Sequence, residues 1–107
     1  METISRAAIQ AKLEKQNVHV VDLLTASEFK DFHLPGAISI PFRQDNFEKE
    51  LLTKIPNKDD EVIVYCNDKS SIMVVEAASK IEALGYKHVF EYVEGKQDWK
   101  TAGLPVQ

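Results

Sequence analysis

Residues 62–86 read VIVYCNDKSSIMVVEAASKIEALGY, and this stretch decides the architecture. Val62 to Tyr65 are apolar or aromatic and β-prone, the pattern of a buried strand. From about Ser71 the apolar residues Ile72, Val75, Ala78 or Ser79, and Leu84 recur at helical spacing, and Gly85 supplies a left-handed helix stop. Cys66, the only cysteine, therefore falls on the short loop between the carboxyl end of a strand and the amino end of a helix. In open α/β sheets ligands bind at that end. Unpaired amides and the helix dipole gather there and favour an anion. A thiol so placed is expected to ionise more easily than a free one and to stand within reach of solvent as a nucleophile.

On the amino-terminal side, Ile9 and Leu13 mark one face of a short helix with Ser5 as its cap. Val18 to Leu24 is a nearly continuous apolar run, expected as a central parallel strand. Ser27 to Phe32 forms a turn or two of helix that Leu34-Pro35-Gly36 stops. Ala37 to Ile40 is a short strand ended by Pro41, and Asn46 to Leu52 is a helix burying Phe47 and Leu51. On the carboxyl-terminal side, His88 to Tyr92 is a strand, and Gln97 to Ala102 a last helix closed by Gly103 and Pro105. Strands that alternate with helices predict an α/β fold with a largely parallel sheet.

The chain has 107 residues, the size of one domain, so residues 1–107 are expected to form a single unit. Apolar residues make up 44% and charged residues 28%, as in soluble globular proteins. The net charge of −4, without a basic block, argues against a nucleic-acid or membrane-surface binder. No apolar run approaches the ~20 residues that span a bilayer. One cysteine cannot form an internal disulfide, which points to a reducing cytoplasm. No heptad or long edge pattern demands a dimer, so a monomer or weak dimer is expected.

Four pieces of the chain, in order, resemble the rhodanese-like sulfurtransferase domain. They are Val21-Asp22 through Glu28-Phe29 to His33-Leu34-Pro35-Gly36-Ala37-Ile38-Ser39-Ile40-Pro41; Val64-Tyr65-Cys66 with its following helix; Leu84-Gly85-Tyr86 with Val89; and Gly95, Trp99 and Ala102-Gly103-Leu104-Pro105-Val106. The resemblance implies a three-layer α/β fold with a central, mostly parallel five-stranded sheet flanked by helices. It implies a Cys66 thiolate that takes the outer sulfur of a donor such as thiosulfate and passes it, as a persulfide, to a thiol, cyanide or a partner protein. Asn67, Asp68, Lys69, Ser70, Ser71 and Ile72 are then the substrate-binding loop, whose backbone N–H groups are expected to ring the transferred sulfur. No metal or organic cofactor is implied, and no metal-ligand cluster stands out.

The loop departs from the family pattern. Rhodaneses often carry arginine about five residues after the cysteine and a glycine earlier in the loop; here Ser71 and Lys69 occupy those places. The only arginines are Arg6 and Arg43, both outside the loop. Leu24 sits where the first signature usually has arginine, and Glu94 where the closing segment has glycine. Lysine is a point charge and lacks the two-pronged fit of arginine to an oxyanion. Weak thiosulfate binding, or a donor that is not a small oxyanion, is therefore expected, with a catalytically weak or inactive binding module as the alternative. Phosphatase chemistry is disfavoured because its loop-closing arginine would fall at Ile72. His33 reads as structural, bonding backbone before Pro35-Gly36, and Trp99 as a core anchor. Asp22, on the same side of the sheet as Cys66, reads as a loop-orienting hydrogen bonder, and Ser70 and Ser71 as helix caps.

Overall fold

The computed structural model describes residues 2–107. In chain order the elements are β1 (Glu2–Thr3), α1 (Arg6–Lys12), β2 (Val18–Asp22), α2 (Ala26–Asp31), β3 (Ile38–Ser39), α3 (Phe47–Lys54), β4 (Glu61–Tyr65), α4 (Met73–Ala83), β5 (His88–Tyr92) and α5 (Gly95–Thr101). The five strands form one sheet in the order β1-β5-β4-β2-β3. Every neighbouring pair is parallel. β4 is the central strand: Val62 to Tyr65 are fully buried, and the strand is paired along its length with β2 and β5. A strand with neighbours on both edges and helices on both faces is apolar at every position, which is why its sequence lacks alternation.

Two cores flank the sheet. On one face Phe47 and Leu51 of α3 and Val74, Ala77, Ala78 and Ile81 of α4 pack on Val21, Val62, Val64 and Val89. On the other, Ile9 of α1 and Trp99 of α5 pack on Val20, Ile63, Tyr65 and Tyr92, with Phe29 of α2 against them. This is the expected three-layer arrangement. Among the described residues no helix is long and apolar enough to cross a membrane.

The local signals act as read in most places. Ser5 caps α1, its hydroxyl accepting the Ala8 N–H at 3.1 Å. Gly85 ends α4 at φ +102°, a conformation costly for other residues. α2 begins earlier than the sequence suggested, because Thr25 and Glu28 form a reciprocal capping box. Two expectations are corrected, and one strand is added to those expected. That strand is β1, whose two exposed residues carry no periodicity to read. The strand begun at Val18 ends at Asp22, and Leu23 and Leu24 lie in the turn beyond it. The buried face of α4 is also displaced by one residue from the predicted one: Val74, Ala77, Ala78 and Ile81 face the sheet at i, i+3, i+4 and i+7. Ile72 and Val75 are 70% and 49% exposed. The alanines lie against the sheet, where small side chains let helix and sheet approach closely.

Candidate active site

Cys66 is the first residue past the central strand. The turn that follows folds onto Asp68. The Asp68 carboxylate accepts the Ser70 N–H at 3.0 Å and the Ser70 hydroxyl, and its backbone carbonyl accepts the Ser71 N–H at 3.4 Å. This local turn uses two amides that were expected to face the sulfur. Ser71 does face it. Its Oγ accepts the Met73 N–H at 3.2 Å, and its hydroxyl acts on the cysteine to pull the thiol's pKa down. The α4 amino terminus thus reaches the thiol through a hydroxyl. Lys69 is exposed at the loop tip, and Ile72 points to solvent.

The loop is held from behind by α5. Lys96 N–H donates to the Cys66 carbonyl and Gln97 N–H to the Asn67 carbonyl, each at 3.0 Å. The Gln97 side-chain amide donates to Asn67 Oδ1 at 3.0 Å. Gly95, at φ +77°, permits this approach: a Cβ there would lie 2.6 Å from Asn67 C and O and 2.7 Å from Asp68 N.

The thiol itself differs from expectation. Cys66 is fully buried within the same apolar cluster as Leu23, Val64, Val74 and Ala77. Burial pushes its pKa up to about 11; the Ser71 hydroxyl and the Arg43 charge pull it down, while Asp22 and Glu28 add to the rise. The predicted easy ionisation and solvent contact are therefore corrected: desolvation outweighs the hydroxyl bond.

A pocket of about 370 Å³ lies against the same wall. Leu23, Leu24, Thr25, Ala26 and Glu28 of the β2–α2 region line one side, Pro41, Arg43 and Gln44 of the β3–α3 loop the other, and Met73 the start of α4. Cys66 and residues 67–72 do not line it. Arg43 is thus the cation whose field reaches the sulfur, supplied from a different loop. Its guanidinium lies over the Phe42 ring at 5.3 Å and pairs with Glu76 at 2.7 Å. Sequence reading left Arg43 outside the site because position 43 is distant from the cysteine in the chain; its one signal was being one of only two arginines.

The rhodanese-like domain family model matches residues 5–102. The chain belongs to that family. This rhodanese-like domain is 31% identical over 71 residues to the thiosulfate sulfurtransferase PspE of Escherichia coli, covering 66% of this chain and 64% of that one. It is 30% identical over 105 residues to the HTH-type transcriptional regulator Rv0324 of Mycobacterium tuberculosis, covering 98% of this chain but 44% of the regulator. The chain therefore spans about half to two thirds of these relatives' lengths. The crystal structure of the BH2092 protein from Bacillus halodurans superposes with a TM-score of 0.80 at 30% identity, over 100% of this chain and 74% of that one.

Beneath the pocket, the opposite face of the rhodanese-like sheet carries a polar network. Asp22 shares the carboxyl end of the sheet with Cys66, but its side chain turns to the other layer, a correction to its expected side. There Tyr65 Oη donates to Asp22 Oδ2 at 2.6 Å, and the Leu24 N–H donates to Oδ1 at 2.9 Å. Burial raises the Asp22 pKa, against the pull of the Tyr65 and Leu24 bonds and of Lys96 and His33. Tyr65 Oη also accepts the Leu34 N–H at 3.2 Å. Lys96, only 2% exposed, donates to the Glu28 and Phe32 carbonyls at 2.7 and 3.0 Å and lies over the Phe32 ring. These bonds fix both Leu24 and the end of α2, and so hold one wall of the pocket. His33 is structural as predicted: its ring bonds the Phe29 carbonyl through Nδ1 at 2.8 Å and stacks on Phe29. Trp99, 1% exposed, anchors α5, its Nε1 donating to the Pro105 carbonyl.

Proposed function

We propose that this domain is a cytoplasmic sulfurtransferase that carries sulfur as a persulfide on Cys66. The single observation that supports the reading is the placement of Cys66: a cysteine at the carboxyl end of the central parallel strand, where the Ser71 hydroxyl at the start of α4 favours its thiolate. Membership of the rhodanese-like family and likeness to a protein named thiosulfate sulfurtransferase agree with it.

In the proposed reaction the thiol first loses its proton to solvent. The thiolate attacks the outer sulfur of a sulfane-sulfur donor such as thiosulfate. A bond forms between Cys66 Sγ and that sulfur, the donor's sulfur–sulfur bond breaks, and its electron pair leaves with sulfite. A thiophilic acceptor, a small thiol or a protein thiol, then takes the terminal sulfur and restores the thiolate. Ser71 holds the nascent thiolate by its hydroxyl, and Arg43 offsets its charge. Side chains of the apolar cluster that encloses the sulfur, Leu23, Val74 and Ala77 among them, must move aside for either step, since Cys66 is fully buried. Incubation with a donor is expected to add one sulfur atom to the intact mass, and Cys66→Ala is expected to abolish that uptake. Uptake by the alanine variant, or none by the native chain with any donor, refutes the reading.

The burial of Cys66 and its upward-shifted pKa favour a second reading, a binding module in which the cysteine is a core residue. A thiol that resists alkylation until the chain unfolds supports that reading. Alkylation of the native fold supports the sulfurtransferase.

A further inference from the structure

The helix α2, which carries Ala26 and Glu28 into the pocket wall, has no fully buried residue; Phe29 is its one half-buried apolar side chain. Six residues are too few to stand as an isolated helix. Its amino end is held by the Thr25–Glu28 capping box and by the turn at Leu24, whose N–H donates to Asp22. Its carboxyl end has no glycine stop, and Phe32 closes it with extended backbone. The carbonyls left open there are met from outside the helix. His33 bonds that of Phe29 through Nδ1, and Lys96 Nζ donates to those of Glu28 and Phe32.

Enclosing an ammonium costs free energy that an apolar side chain in the same place would not. Lys96 is nonetheless 2% exposed. What an apolar residue cannot supply is the pair of N–H bonds to the end of α2. Lys96 also has a second attachment. Its main-chain N–H donates to the Cys66 carbonyl at 3.0 Å, and it sits on α5, which Trp99 anchors in the core. One residue therefore grips the cysteine through its backbone and the pocket wall through its side chain. Glu28 completes the link: its carbonyl takes the Lys96 bond at 2.7 Å, and the residue lines the pocket.

We propose that Lys96 is a positioning residue for the sulfur donor, which holds the α2 wall in register with Cys66 and so sets how tightly the donor binds. The proposal rests on the reading of Cys66 as the sulfur carrier. Lys96 touches neither the donor nor the sulfur. It acts through Glu28 and the helix that carries it, and a wall misplaced by a fraction of its width loosens the bound donor without altering the thiol.

The test follows sulfur loading of Cys66, as one added sulfur in the intact mass, over a range of thiosulfate concentrations in the native chain, Lys96→Met and Lys96→Arg. Methionine keeps an unbranched stem but donates nothing. Lys96→Met is expected to raise the half-saturating thiosulfate concentration about fivefold or more. Lys96→Arg, which keeps the charge and the N–H donors, is expected to stay within about twofold of the native chain. The pH midpoint of Cys66 alkylation is expected to hold in Lys96→Met, because the bond to the Cys66 carbonyl comes from the main chain. Amide hydrogen exchange supplies a reading on the native chain itself. The Phe29 N–H, bonded to the Thr25 carbonyl within α2, is expected to be protected well beyond that of a free short helix. In Lys96→Met that amide is expected to exchange faster while the amides of β4 do not. An unchanged half-saturating concentration in Lys96→Met, an equal rise in Lys96→Arg, or an alkylation midpoint that shifts with the rise overturns the proposal and leaves the sulfurtransferase reading intact. So does an unprotected Phe29 N–H in the native chain, a result that stands even if Lys96→Met fails to fold. A native chain that takes up no sulfur overturns the two together.

Discussion

Around Tyr65, on the face covered by α1 and α5, buried polar groups are matched: the phenol with Asp22 and the Leu34 N–H, the Lys96 ammonium with two helix carbonyls and a ring. Around Cys66, the next residue and on the opposite face, the thiol has the Ser71 hydroxyl and a shell of aliphatic side chains. Glu91 is the polar exception on that face; strand alternation puts it beside Val89, and its Oε2 is buried without a hydrogen-bond partner among the described residues. The polar face fixes geometry, because breaking any of its bonds strands a buried group. The apolar face controls charge, because burial there disfavours the thiolate. The polar network and the thiol thus lie on opposite sides of one strand end.

The largest expected effect comes from the residue that joins the two faces. Gly95→Ala adds a Cβ 2.6 Å from the Asn67 backbone at φ +77°. The change is expected to destabilise the fold by about 2–4 kcal/mol and to displace the cysteine loop. Denaturant melts read the first effect and alkylation rates the second; an unchanged melting midpoint would separate α5 from the loop.

Tyr65→Phe tests the polar face alone. It leaves Asp22 Oδ2 and the Leu34 N–H each without a bond, while the Leu24 N–H still holds Oδ1, and a cost of about 1–3 kcal/mol is expected in urea unfolding. If the two faces are separate in role, the pH at which Cys66 becomes alkylated moves little.

Ser71→Ala tests the other face, with the smallest effect on stability. With the native pKa pushed up to about 11, iodoacetamide modification is expected to reach its half-maximum well above the ~8.5 midpoint of a free thiol. Removing the hydroxyl moves that profile further up and slows modification at neutral pH several-fold. The sign for stability follows by linkage. A thiol that holds its proton more tightly folded than unfolded contributes fully below about pH 8.5, and that contribution is lost as pH rises toward about 11. A native profile with its midpoint at about 8.5 would show the thiol to be solvated.

How legible the molecule was in its sequence differed between these faces. The apolar run Val62 to Tyr65 and the alternation of strands and helices gave the sheet, since a doubly covered parallel strand has no other composition. The loop was placed correctly by the strand and helix either side of Cys66. The burial of its sulfur was not, because it depends on how closely Ala77 and Leu23 pack, which no spacing encodes. The phase of α4 was misjudged for a related reason: Ile72 and Val75 are apolar and helically spaced, yet the sheet takes the face with the small alanines. Lys96 and Arg43 were missed as positioning and charge-bearing residues because their partners lie on α2 and α4, far away in the chain. Asp22 was read as a hydrogen bonder from its place at a strand end, and so it is, though for the layer opposite the cysteine.

An enclosed, protonated sulfur also has a consequence for wear. Peroxide attacks thiolates that water can reach and carries them through sulfenic to irreversible sulfinic and sulfonic acids. Cys66 in this structure offers neither the charge nor the access. With its sulfur enclosed and protonated, the domain is shielded from oxidative loss.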